Sequence, residues 1–216
     1  MRLLPAGAAA ILIELPTDDD VLAWVAGLER HRLPAVTDLV PAETTILVGF
    51  DPARASAAVI AEWIRATQPI GTGSMHSDQV ELDVRYDGED LPDVAAALGI
   101  SVADVVRAHT EVAWTVAFSG FAPGFAYLRP PDGRLAVARR DSPRPRIPAG
   151  SVALAAGYSG IYPRSSPGGW QLIGHTGAVL WDANRWDDDG RSPALLRPGM
   201  QVRFRVADPV IGSAGG

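Results

Sequence analysis

Apolar positions change period several times along the chain, and each change predicts an element. Residues 9–15 (AAILIEL) are an apolar run interrupted only by Glu14 and stopped by Pro16, the pattern of a strand. Val21, Leu22, Val25 and Leu28 then recur at helical spacing, and Leu33 with Pro34 closes that helix. Thr17 stands three residues before Asp20, a capping-box spacing, and the acids at 18–20 suit the positive end of a helix dipole. Residues 37–40 and 45–50 read as short strands joined by a tight connection at 41–43. Asp51-Pro52 predicts a helix start, with Val59, Ile60, Trp63 and Ile64 as the buried stripe. Val80, Leu82 and Val84 alternate with Gln79, Glu81, Asp83 and Arg85, a strand with one wet face. The order β-α-β-β-α-β predicts a small ferredoxin-like α/β unit over residues 1–86.

A helical bridge over 90–110 follows. Val94 and Leu98 share a face, Gly99 suits a helix end, and Ser101 with Asp104 makes a second capping box. The pair of helices has the outline of a helix-turn-helix, but its second helix offers Arg107 as its only cation, beside Asp104 and Glu111. Without a basic face to meet phosphate, it reads as a packing bridge. From Trp114 the period drops to two, and residues 114–119, 134–138, 151–156, 170–174, 177–181 and 200–206 read as strands between Gly and Pro turns. Many short strands so punctuated predict a closed or nearly closed barrel over 87–216, with a frayed glycine-rich tail at 208–216. The fold class is therefore α+β.

Composition narrows the chemistry. The 47% hydrophobic and 20% charged fractions of these 216 residues are those of a globular protein. A net charge of −6 favours neither nucleic acid nor an anionic membrane, and no apolar stretch approaches a membrane span. The absence of cysteine removes thiol catalysis and Cys-based zinc sites and agrees with a cytoplasmic location. All 19 basic residues are arginine, so Schiff-base chemistry and a P-loop lysine are ruled out. The 71–74 run (GTGS) has no helix after it and reads as a linker, with His76 an exposed loop residue.

Candidate chemistry gathers in the second half. Residues 148–176 carry Gly150, Gly157, Gly160, Gly168, Gly169 and Gly174 among polar groups that include Ser151, Tyr162, Ser166, Gln171 and His175. Residues 119–128 (SGFAPGFAYL) hold three aromatic rings between glycines, as for an apolar pocket wall or as core filling. Arg139, Arg140, Arg144 and Arg146 form a proline-punctuated run that could receive carboxylate or phosphate, or simply be a solvated loop. Glu89 and Asp90 are either a functional acid pair or carboxylates at a helix start, and His109 reads as a helix C-terminal histidine.

The blocks FSGFAPGFAYL and RRDSPRPRIPAGSVALAAGYSGIYPRSSPGGWQLIGHT resemble the signature of the family of the 5-oxoprolinase B subunit. That family is also called allophanate hydrolase subunit 1 and includes an inhibitor of the sporulation histidine kinase A. The resemblance runs from about residue 3 to 207. It implies a carboxyltransferase-domain-like chain whose C-terminal domain is a cyclophilin-like β-barrel. The implied activity is that of one member of a multi-subunit, ATP-dependent 5-oxoprolinase, opening 5-oxo-L-proline to L-glutamate only in company. The implied companions are the homologous C subunit, which is allophanate hydrolase subunit 2-like, and the A subunit. ATP is then the cosubstrate of the complex, and no metal site is expected in this chain. The implied site combines Gln171, His175 and Ser166 as catalytic residues with Arg140, Arg144, Tyr162, Phe125 and Gly169 as substrate-binding ones. Other readings are a non-catalytic inhibitor of a sensor histidine kinase and a component of an allophanate- or urea-processing amidohydrolase. His175 stands where members commonly carry arginine, and Met200 replaces the acid of a PGD turn, expected to alter only turn chemistry.

Overall fold

The chain begins with a hairpin that the apolar pattern did not announce. In the computed structural model, which describes residues 1–17, 20–71, 79–185 and 192–207, β1 (Arg2–Pro5) pairs antiparallel with β2 (Ala10–Glu14). β3 (Val36–Pro41) and β4 (Thr45–Phe50) complete a four-stranded sheet in the order β1-β2-β4-β3. One face buries Ile11 and Ile13 of β2 with Ile46, Val48 and Phe50 of β4. Against it lie α1 (Val21–Arg30), through Val25 and Leu28, and α2 (Ala57–Ala66), through Ile60 and Ile64. Asp51-Pro52 does not start α2. The Asp51 carboxylate accepts the Ala53 N–H in a tight turn, and the helix begins after Ser56, whose hydroxyl accepts the Val59 N–H at 3.4 Å.

The strand at 79–84 differs from expectation. A ferredoxin-like sheet would set it beside β2, but β1 holds that edge, reached through a short connection at little loop-closure cost. β5 (Gln79–Val84) instead pairs parallel with β13 (Gln201–Val206), in register over all six residues.

β13 and β5 end a seven-stranded sheet ordered β12-β9-β10-β7-β6-β13-β5. The others are β6 (Ala113–Ser119), β7 (Ala126–Arg129), β9 (Ser151–Ala155), β10 (Tyr158–Ile161) and β12 (Gln171–His175). The sheet curls as a half-barrel until its outermost strands meet at one bridge, where Arg85 and His175 exchange both backbone hydrogen bonds at 2.9 Å. A separate ribbon pairs β8 (Arg144–Ile147) with β11 (Ser166–Gly168).

Trp114, Val116, Leu128, Val152, Leu154, Ile173, Val202 and Phe204 fill the concave side. α3 (Leu91–Leu98) and α4 (Val102–Thr110) add Leu91, Val94, Ala95 and Val105 to that same core, so the helical bridge is a packing element. Gly99 ends α3 at φ 67°, and Ser101 and Asp104 form the reciprocal box that starts α4.

Neither 134–138 nor 177–181 is a strand. Leu135 at φ 58° breaks the extended run in the first, and the second holds only an isolated bridge between Trp181 and Ala194. Met200 does more than turn chemistry: its side chain is buried in the core, and its sulfur accepts the Arg197 N–H at 3.3 Å. Residues 72–74, His76, Asp18, Asp19 and the 208–216 tail lie outside the described residues.

Candidate functional site

Residues 85–90 run alongside β12 as a strap, bridged at Arg85 and fixed again at Asp90. The Asp90 N–H donates to the Leu172 carbonyl at 3.0 Å, and the Leu172 N–H donates to Asp90 Oδ2 at 2.7 Å. Between these ties Gly88 lies so close to β12 that a Cβ would stand 2.3 Å from the Leu172 carbonyl oxygen.

The Asp90 side chain, only 3% exposed, gathers two members of the arginine run. Arg140 Nη1 and Arg144 Nη2 both reach Oδ1 at 2.7 Å, and Arg144 Nη1 reaches Oδ2 at 3.0 Å. Arg144 Nε also pairs with Glu89 Oε1 at 2.7 Å. Burial pushes the Asp90 carboxyl up. The Arg144 hydrogen bonds, the Leu172 N–H and the charges of Arg144 and Arg140 outweigh it, and the group stays below the usual carboxylate range. Asp90 sits at the N-cap of α3 yet makes no side-chain cap bond, because its oxygens are taken by these donors.

Five of the sequence-derived site residues meet around this corner. The Arg140 N–H donates to the Gly169 carbonyl at 2.8 Å, and Gln171 Nε2 donates to the Ala138 carbonyl at 3.2 Å. Across the ribbon, Gly168 lies opposite Arg144, and Ser166 opposite Ile147. Among the described residues, two buried side-chain polar atoms lack any partner, and both belong here: Arg140 Nε and Ser166 Oγ. Native interiors leave few such groups, and a ligand's polar atoms are one use for them.

Tyr162 adjoins the ribbon from behind. It is buried, and Gly168 has no room for a Cβ because the Tyr162 hydroxyl would lie 2.3 Å away. Phe125 is equally buried, edge-on to Tyr162 at 5.5 Å and to Trp170 at 5.4 Å, so it supports the wall and does not line an opening. The wall continues through Tyr127, stacked on Phe118 at 4.3 Å, to Phe121, which is 60% exposed with φ 68°. Gly160 is required behind these rings, since a Cβ would stand 2.9 Å from both Phe125 and Trp170.

His175 is not part of this corner. It lies at the other end of β12 from Gln171, exposed, with Nδ1 2.8 Å from Asp87 Oδ1. Arg85 Nε holds the other Asp87 oxygen at 3.1 Å, so the imidazole is fixed by a clamped carboxylate. Asp87 was not singled out by sequence, and its one signal is its place beside the Tyr86 and Gly88 turn. His109 is fully buried, between the Tyr86 hydroxyl at 2.7 Å and the Ser159 hydroxyl at 2.9 Å.

The corner does not fit a triphosphate. The guanidinium charge of Arg140 and Arg144 is matched by Asp90 and Glu89, and the chain has no lysine. Among the described residues no group of three or more His, Asp or Glu is placed to hold a metal ion.

Residues 1–189 match the family described as carboxyltransferase domain, subdomain C and D. The chain is 35% identical over 206 residues to the 5-oxoprolinase B subunit of Escherichia coli O157:H7, an alignment covering 92% of both chains. Among solved structures, TTHA0988 matches with a TM-score of 0.77 at 35% identity over 93% of this chain, which spans only 40% of that longer one. The urea amidolyase of K. lactis matches with a TM-score of 0.72 at 20% identity, covering 95% of this chain and 15% of that one, and shares the fold.

Proposed function

The chain belongs to the carboxyltransferase subdomain C and D family that includes the 5-oxoprolinase B subunit, and on that footing we propose that it is one member of an ATP-dependent 5-oxoprolinase complex. The complex would open 5-oxo-L-proline to L-glutamate while converting ATP to ADP and phosphate, with homologues of the C and A subunits as its other members. A lactam amide is resonance-stabilised, so water opens it only after the carbonyl is activated and the developing charge is met by fixed donors.

The observation that carries this reading is the pair of unpartnered buried atoms, Arg140 Nε and Ser166 Oγ, in a corner that Gly169 and Gln171 also border. Arg140 donates to the lactam, Ser166 and Gln171 orient it, and Arg144 fixes Asp90 and through it Arg140. Tyr162 and Phe125 back the corner. His175, set apart by the length of β12, acts only if substrate or a companion protein extends along that strand. ATP is left to the companion subunits, because the guanidinium charge of the Asp90 corner is already matched by carboxylates. Assembly with them in the cytoplasm is part of the same proposal.

The test is co-expression with homologues of both companions, followed by assay of ATP-dependent glutamate formation. The assembled complex should be active and the isolated chain inactive, and Ser166→Ala should lower kcat by about tenfold without loosening assembly. A stable complex that leaves 5-oxoproline intact would overturn the reaction. Activity from the isolated chain would overturn the dependence on partners.

A further inference from the structure

A cavity of about 460 Å³ lies away from the Asp90 corner, where the C-terminal ends of α1 and α2 come together. Arg30 and His31 border it from the first helix, Trp63 and Ala66 from the second, and Gln68 and Ile70 from the segment that follows. That segment is pressed onto α1. The Ile70 N–H donates to the Ala23 carbonyl at 2.9 Å, and a Cβ at Gly27 would stand 2.2 Å from the Gln68 carbonyl oxygen. The Trp63 indole N–H donates to the His31 carbonyl at 2.8 Å, which pins the ring across the two helix ends. The walls are therefore set before anything enters.

Two helix C-termini ordinarily favour a cation. Here their carbonyls are already engaged. The His31 carbonyl has the indole, the Glu29 carbonyl accepts from the Arg32 N–H at 3.3 Å, and the Trp63 carbonyl accepts from the Thr67 hydroxyl at 2.9 Å and the Thr67 N–H at 3.1 Å. No aspartate or glutamate lines the cavity, although the chain carries a net charge of −6. Arg30 is exposed and makes no ion pair among the described residues, so its guanidinium is left for an acceptor in the cavity. Trp63 packs against the core of the four-stranded sheet and carries no stacked ring among the described residues. With Ala66 and Ile70 it makes an apolar floor. A guanidinium fork matches a carboxylate, and an indole face takes a flat ring.

We infer that this cavity binds a small aromatic monocarboxylate, its carboxylate on the Arg30 guanidinium and its ring against the Trp63 indole. The site belongs to the four-stranded sheet and its helices, and it does not depend on the 5-oxoprolinase reading.

The experiment uses three probes: benzoate, benzamide, which lacks the charge, and cyclohexanecarboxylate, which lacks the flat ring. Binding to the full chain is titrated by ligand-observed NMR. The place of binding is read from the indole N–H resonance of Trp63, identified by its loss in Trp63→Phe. Benzoate should bind at least about tenfold more tightly than benzamide, the worth of one charge-assisted pair. It should also bind several-fold more tightly than cyclohexanecarboxylate. Arg30→Gln should erase the preference over benzamide while leaving benzamide binding unchanged, and Arg30→Lys should restore part of it. Because Arg30 is exposed and makes no ion pair among the described residues, both variants should unfold near the wild-type midpoint. Benzoate that does not saturate, that leaves the Trp63 resonance unmoved, or that keeps its preference in Arg30→Gln overturns the inference. Equal binding of benzoate and cyclohexanecarboxylate overturns the aromatic class.

Discussion

One carboxylate fixes the corner on which the proposed chemistry depends. Asp90 accepts hydrogen bonds from Arg140, Arg144 and the Leu172 N–H while almost wholly withdrawn from solvent. Asp90→Asn keeps the shape and removes the charge, leaving two guanidinium groups to face each other across a weaker acceptor. The expected cost is about 3–5 kcal/mol in urea unfolding near neutral pH, the range for breaking a buried ion pair. A cost below about 1 kcal/mol would show that the pairs contribute little beyond solvent-exposed ones. The folded carboxyl lies below its unfolded value, so its contribution is full above about pH 4 and is lost as pH falls through the folded pKa. The gap between wild type and Asp90→Asn should therefore narrow in acid. Sequence presents the acid pair and the arginine run as two separate features, the first readable as helix-start carboxylates and the second as a solvated loop. No local pattern announces that they meet, because the meeting is made by tertiary packing of the strap on β12.

Elements differed in legibility for the same reason. α4 was readable because its start is local: Ser101 and Asp104 cap each other across one turn. β8, with Pro145 inside it and Pro143 and Pro148 on either side, and β11, with Pro167 between serine and glycine, look like loops and become strands only by pairing with one another. β5 was readable as a strand from its alternation, but its partner, β13, lies at the far end of the chain. The strap at 85–90 has no periodicity at all and depends on the absence of one side chain. At Gly88 a Cβ would meet Leu172 O, Ile173 C and Gly174 N at 2.3–2.5 Å, all backbone atoms with little room to retreat. Gly88→Ala should thus push the strap off β12 and cost about 3 kcal/mol, the upper end for overpacking. Amide exchange at Leu172 and His175 should accelerate, whereas Gly71→Ala, where a Cβ meets nothing within 4 Å, should leave both amides protected. Equal protection in the two variants would mean that the strap is not what closes the curled sheet.

At the scale of the whole molecule, His109 joins parts that the sequence order keeps separate. It lies in the last turn of α4, as the sequence suggests, but at 0% exposure, stacked on Phe204 of β13 at 4.2 Å and bonded to Tyr86 of the strap and Ser159 of β10. Burial pushes the Tyr86 hydroxyl well above its ordinary value and keeps its proton on it, and the two hydroxyls each bond one ring nitrogen of His109, so that both nitrogens are satisfied without a second ring proton. The imidazole is neutral in this arrangement, and burial lowers its pKa to about 3. The unfolded chain's histidine titrates near about 6.5, so below that pH the unfolded state binds a proton that the folded state refuses. Stability from this group is complete above about pH 6.5 and declines by about 1.4 kcal/mol per pH unit as pH falls toward the folded pKa. Urea unfolding at a series of pH values should show this slope above the range where carboxylates titrate. His109→Gln should begin less stable at about pH 8, having lost the stacked ring, and should run nearly flat between about pH 6.5 and 5, where only this histidine separates the two proteins. Parallel stability curves for the two proteins over that interval would mean that His109 accepts a proton without opening the core, and that the helical bridge is not locked to the curled sheet through it.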